Sequence, residues 1–201
     1  IHHNTFSVFI NNGYIKHPMS KMRLISGEIA YNRSNWCTID ACDFIMDGGS
    51  IHHNSVPDQM SILFSYGKME INGGEIRDNF GCYIIDFTAS SAKMTGGTVS
   101  SNTGIYSGGI NIRDTSKYKT SFLMTGGSVH DNFLCLNSYN YEDSFLDSNA
   151  QNLQVSSLWG KEASFTMSGG SIYQSQPQGD IPSIIVYGSK GKISLSKDAQ
   201  V

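Results

Sequence analysis

Charge is scarce in this chain. Asp, Glu, Lys and Arg make up 15% of its 201 residues, against about a quarter in ordinary soluble domains. The net charge of −3 comes without a basic patch, which argues against a nucleic-acid partner. No apolar run approaches roughly 18 residues, so no stretch reads as a membrane-spanning helix. The four cysteines, Cys37, Cys42, Cys82 and Cys135, form neither a C-x-x-C pair nor a zinc spacing. These absences turn attention to what is abundant: 21 glycines, with apolar residues at 39% and regularly spaced.

The glycines fall in a repeat. Phe44-Ile45-Met46-Asp47-Gly48-Gly49-Ser50-Ile51-His52-His53-Asn54 returns as Met69 to Asn79, Ala92 to Asn102, Phe122 to Asn132 and Phe165 to Ser175. Met22 to Asn32 is a variant with Ser26 for the first glycine, and an echo begins at Ile193. Successive copies start 22, 25, 23, 30, 43 and 28 residues apart. Self-similarity at such a period marks a solenoid, read as one elongated domain over 1–201. Ile1-His2-His3-Asn4 duplicates Ile51 to Asn54 and the pattern runs into Val201. The expectation is therefore a piece of a longer protein, with the rest of that chain as one partner.

Register assigns a role to each position. Met22, Phe44, Met69, Ala92, Phe122, Phe165 and Ile193 alternate with Leu24, Met46, Ile71, Met94, Met124, Met167 and Leu195 around polar residues. This period of two predicts a strand with one buried face. The pairs Gly48-Gly49, Gly73-Gly74, Gly96-Gly97, Gly126-Gly127 and Gly169-Gly170 predict sharp corners. Ile29, Ile51, Ile76, Val99, Val129 and Ile172 begin a second buried column. Asn32, Asn54, Asn79, Asn102 and Asn132, with Ser175 in the last copy, predict a ladder of amides in which asparagine itself takes the left-handed conformation. A third apolar segment follows at 37–39, 62–64, 83–87, 110–112, 153–155 and 184–187. Three strands per turn in constant order predict an all-β, right-handed, single-stranded parallel β-helix of about seven to eight coils. Two long insertions are expected, at about 104–119 and 133–163.

The Met-x-Gly-Gly-x-Ile-x-x-Asn pattern resembles the right-handed parallel β-helix repeats of bacterial surface and secreted proteins, including polymorphic outer-membrane proteins and adhesin passengers. The resemblance covers most of the chain and implies a pectin-lyase-like fold and an extracellular or cell-surface setting. It leaves function open, because β-helices also serve as polysaccharide lyases, hydrolases and phage tailspikes.

Stacking turns register into neighbours about 4.8 Å apart. Glu70 is expected beside Lys93 and His53 beside Asp78, as surface ion pairs. His2, His52 and His130 share a register but are separated by intervening coils, with Arg77 beside His52, so no metal is expected. No cofactor is implied. Cys82 and Cys135 lie two coils apart, about 9–10 Å, too far for a disulfide, and all four cysteines are expected as buried thiols. Before the glycines only Asp47 and Glu70 supply outward carboxylates, in different registers. The adjacent aspartates, Gly-His-Gly and Arg-x-Lys of pectin-degrading hydrolases are absent.

Recognition is sought instead in the longer insertion. Tyr139, Tyr141, Glu142, Asp143 and Asp147 combine stacking area with acceptors suited to a glycan or a protein surface. Covering one side of the helix is the other reading of that loop. Trp159 is expected as a packing anchor at its return. The leading expectation is a non-catalytic adhesion or structural module, with a carbohydrate-active β-helix as the alternative.

Overall fold

The computed structural model describes Ile1 and residues 21–88, 91–135, 150–176 and 178–201, without the side chains at 58 and 59. Among the described residues, twenty strands run in coils. The first holds β1 (Lys21–Leu24), β2 (Glu28–Ala30) and β3 (Ile39–Ala41), and the second β4 (Asp43–Met46), β5 (Ser50–His52) and β6 (Ser55–Ser65). The third holds β7 (Met69–Ile71), β8 (Glu75–Arg77) and β9 (Phe80–Thr88), and the fourth β10 (Ser91–Met94), β11 (Thr98–Ser100) and β12 (Thr103–Arg113). Next come β13 (Thr120–Met124), β14 (Ser128–His130), β15 (Phe133–Leu134) and β16 (Leu153–Ser156). The sixth coil holds β17 (Ala163–Met167), β18 (Ser171–Tyr173) and β19 (Ile184–Tyr187), and β20 (Gly191–Leu195) opens a seventh.

Every pairing between these strands is parallel. One sheet runs β1-β4-β7-β10-β13-β17-β20, a second β2-β5-β8-β11-β14-β18, and a third β3-β6-β9-β12-β16-β19, with β15 also on β12. This is a right-handed parallel β-helix of about seven coils. Phe44 pairs with Met69, Met69 with Ala92, Ala92 with Phe122 and Phe122 with Phe165, as the repeat register requires. These side chains are buried, and each large one contributes roughly 1.5–3 kcal/mol. Ile39, Leu63, Ile85, Ile110, Leu153 and Ile184 form the corresponding column of the third sheet.

The two glycines of each corner answer different demands. Gly74 has φ +84, where a Cβ would be strained. Gly73 has no such angle, but a Cβ there would stand 2.6 Å from the Asp47 carbonyl oxygen of the coil beneath. One glycine turns the chain and its neighbour lets the coils approach.

Several expectations need correction. The left-handed residue of the second corner is not asparagine but the residue before it: Tyr31, His53, Asp78, Ser101 and Asp131 have φ between 49 and 56. Asparagine is thereby freed to hydrogen-bond inward. The last rung is not Ser175. Asn132 donates through Nδ2 to Oδ1 of Asn152 at 2.8 Å, while the Ser175 amide donates to Asp131 Oδ1 at 2.6 Å. The segment 104–119 is not one inserted loop. Residues 104–113 lie in β12, with register shifts between Gly104 and Ser107 and between Ser107 and Ile110. Bulges absorb the extra length, because each unpaired residue is taken up by a local bend. In the first coil the third strand is Ile39–Ala41 rather than 37–39.

Candidate functional site

The outer faces carry the polar chemistry, and most of it is engaged between coils. On the first sheet Lys93 and Glu70 are register partners, yet Glu70 pairs with Lys68 at 2.6 Å. A shallow groove of about 460 Å³ lies here, lined by Lys68, Glu70, Lys93, Ser121, Leu123 and Thr166. At its corner Asp47 accepts from Asn72 Nδ2 at 2.9 Å and from Arg23 Nε at 2.5 Å. The Asn72 hydrogen bond, and then Arg23, hold its carboxyl below the ordinary aspartate value. Thr95 continues this polar row by donating to Asn72 Oδ1 at 3.0 Å.

The second corner collects the histidines. His53 meets Asp78 through the backbone, its amide donating to the Asp78 carbonyl at 3.1 Å, but the Asp78 carboxylate accepts from Arg77 at 2.5 Å. The expected His53–Asp78 ion pair is thereby replaced. His52 Nε2 lies 2.9 Å from Glu28 Oε2, and its Nδ1 lies 2.9 Å from Nδ1 of His53. With Nε2–H donating to Glu28, Nδ1 of His52 accepts from His53. Tyr31 stacks on His53 at 5.0 Å between centroids. Further along, His130 stacks on Tyr173 at 4.6 Å and sits 3.0 Å from Asp131 Oδ2. Burial would raise the Asp131 pKa, but hydrogen bonds from His130 and Ser175 outweigh it and the net shift is downward. Among the described residues no group of three His, Cys, Asp or Glu is placed to hold a metal ion.

The third sheet holds the buried ionic cluster that sequence reasoning left unassigned. Asp86 accepts from Asn111 Nδ2 at 3.0 Å, from Arg113 Nε at 2.9 Å and from Arg113 Nη2. Register explains the meeting, since Asn111 stacks directly on Asp86 and Arg113 on Thr88. Burial pushes the Asp86 pKa up against the pull of the guanidinium. Arg113 lies 5.6 Å from the centre of the Tyr83 ring, which packs on Tyr106 at 5.3 Å. Burial, with Asp86 second, raises Tyr83 to about 12. Burial likewise raises the Cys37 thiol to about 12. Cys42 and Cys82 are buried thiols outside any disulfide, whereas Cys135, expected to be buried, is only half-buried.

At the corner from the third sheet back to the first, Asp114 organises a tight turn. Its Oδ1 accepts from the amides of Leu158 at 2.8 Å and Trp159 at 3.0 Å, and its Oδ2 accepts from Lys161 at 2.7 Å. Trp159 is 65% exposed. It is not the packing anchor expected; its backbone is held while its ring faces outward.

The repeat residues Gly48, Gly49, Asn54, Gly73, Gly74, Asn79, Gly96, Gly97, Asn102, Gly126, Gly127, Asn132, Gly169 and Gly170 sit at the two corners flanking the second sheet. Tyr139, Tyr141, Glu142, Asp143 and Asp147 lie outside the described residues. In the sequence Asp86, Arg113 and Asp114 are charged residues without a place in the repeat, and only the strand register gives them direction. No protein-family model, curated protein or solved structure matches this chain.

Proposed function

We propose that this chain is a non-catalytic recognition rod of a secreted or cell-surface protein, presenting side chains and loops to a glycan or a protein surface. One observation carries the reading: among the described residues, the two outward carboxylates that precede the glycines, Asp47 and Glu70, are both engaged by neighbouring side chains, as are Asp86, Asp114 and Glu162 by their own partners. Glycoside hydrolysis needs two carboxyl groups flanking a scissile bond and free to meet it. Asp47 is held by Asn72 and Arg23, and Glu70 by Lys68. Asp114 is filled by backbone amides, and Glu162 is held by Lys192 at 2.6 Å. Asp86 combines a raised pKa with burial, but both of its oxygens face Arg113. A stiff stack with engaged carboxylates suits display. The segment carrying Tyr139, Tyr141, Glu142, Asp143 and Asp147 contributes to this reading through its sequence alone.

The test is turnover against binding. Incubated with a panel of acidic polysaccharides, the protein is expected to release no reducing ends or unsaturated products, while a glycan array or cell-surface pull-down registers binding. Turnover that disappears in Asp47→Asn or Glu70→Gln would replace this reading with the carbohydrate-active one.

A further inference from the structure

Three successive coils present their corner loops on one edge of the stack. The first loop, residues 114–119, follows β12, the second, 157–162, follows β16, and the third, 188–190, follows β19. Backbone hydrogen bonds tie the loops coil to coil: the Asp114 amide donates to the Ser156 carbonyl at 3.1 Å, Ser157 to Tyr187 at 2.8 Å and Thr120 to Glu162 at 2.8 Å.

Five of the chain's fourteen Lys and Arg residues lie on this edge. Lys117 and Lys119 stand on the first loop, Lys161 on the second, and Lys190 and Lys192 on and just after the third; all are exposed. Glu162 is the carboxylate among them. Its pKa is lowered by the Lys192 hydrogen bond, with Lys119 contributing further. Asp114, buried beneath, is filled by amides. The edge is therefore a net cationic patch, which the linear sequence did not lead us to expect, in a chain whose total charge is −3.

Between the lysines stand two exposed aromatic rings, Tyr118 at 60% and Trp159 at 65%. Both sit on loops with fixed backbones. Thr115 Oγ1 accepts from the amides of Lys117 at 3.3 Å and Tyr118 at 3.0 Å, and the Thr115 amide donates to the Tyr118 carbonyl at 3.2 Å. The second loop is held from below by Asp114 and from within by Ser157 Oγ, which donates to the Lys161 carbonyl at 2.7 Å. Lys190 closes it from the next coil, donating to the Gly160 carbonyl at 2.8 Å. A tryptophan left in water on a turn with so many hydrogen bonds is a preorganised contact surface, because little further order is lost when a ligand settles on it.

We infer that this edge binds an acidic polysaccharide, with Trp159 and Tyr118 stacking on sugar faces and the lysines meeting its carboxylates. Charge complementarity selects an anion, and flat apolar rings select a ligand that also has apolar faces. The lysines are spread over three successive coils rather than gathered at one point, which suits a polymer carrying repeated charges rather than a single anion. The inference rests on the reading of the chain as a recognition rod and assigns it a ligand class and a place.

The experiment is affinity electrophoresis of the full chain in gels containing polygalacturonate, with dextran as the neutral polymer. Wild type is expected to be retarded by polygalacturonate and not by dextran. Trp159→Ala should weaken binding about tenfold, or ~1.4 kcal/mol. Lys117→Gln with Lys161→Gln should weaken it comparably and flatten its salt dependence. These side chains are exposed, so the β circular-dichroism signal and thermal midpoint should stay at wild-type values. Equal retardation by dextran, or tighter binding to duplex DNA or phosphatidylserine vesicles, would overturn the ligand class. Wild-type retardation of both variants would overturn this edge as the site while leaving the recognition rod intact. Cleavage of the polymer would instead overturn the rod reading itself.

Discussion

The side chain of Asn79 reaches into three coils. Its Nδ2 donates to the carbonyls of Ile51 and Arg77, each at 2.9 Å, and to Oδ1 of Asn102 at 2.9 Å. Its Oδ1 accepts the amide and Nδ2 of Asn54, each at 3.0 Å. In water such an amide would be solvated on all sides; here it is buried, and every group is matched by the coil above or below. Asn79→Ala should therefore strand a buried amide on Asn54 and a carbonyl on Ile51, lowering stability by about 2–4 kcal/mol. Urea unfolding followed by circular dichroism measures this, and a loss below about 1 kcal/mol would show that water replaces the rung. The asparagine row was legible in the sequence because it recurs at one register. Its final rung was not, since Asn152 arrives from a longer coil and displaces Ser175 from the expected place.

Strands of the third sheet show the limit of periodicity at the scale of an element. Ile39, Leu63, Ile85, Ile110 and Leu153 align, but only after register shifts in β6 and β12. Those bulges set which outward residues become neighbours, and so bring Arg113 to Asp86. The pair bridges two strands and is nearly closed to water on the Asp86 side, whose side chain is 2% exposed. Arg113→Gln should leave an uncompensated buried carboxylate and cost about 3 kcal/mol at neutral pH. Asp86 already has its folded pKa raised by burial. Without the guanidinium that pKa moves further above the unfolded value, so stability is fully present below the unfolded pKa and is lost as pH rises through the folded one. The variant should consequently regain stability as the pH is lowered from neutral toward about 5. Denaturation midpoints across that range test the sign. A deficit that stays constant with pH would mean that Asp86 takes up no extra proton in the variant and that its carboxylate stays charged without Arg113.

Over the whole molecule, each coil touches mainly the coils before and after it, so stability behaves as a sum of coil and interface contributions. Met69 and Ala92 occupy the same register one coil apart. Deleting residues 69–91 therefore joins Lys68 to Ala92 and removes a single turn with every column preserved. The shortened chain should unfold cooperatively, with a denaturant slope reduced by roughly one-ninth, in proportion to the surface lost. A broad transition without a cooperative step would show that the third coil holds features its neighbours cannot replace. The sequence by itself determined the parallel stack, the buried columns and the two corners flanking the second sheet. Side chains alternate with a period of two, and parallel coils place identical positions side by side, so a repeated letter becomes a contact. Only the tertiary structure decided which carboxylates are paired, that Asp86 meets Arg113, and that Asp114 holds the Trp159 turn open to water. Those contacts join residues 27 and 45 positions apart through coils of unequal length, where no period carries information and bulges and turn hydrogen bonds choose the neighbours.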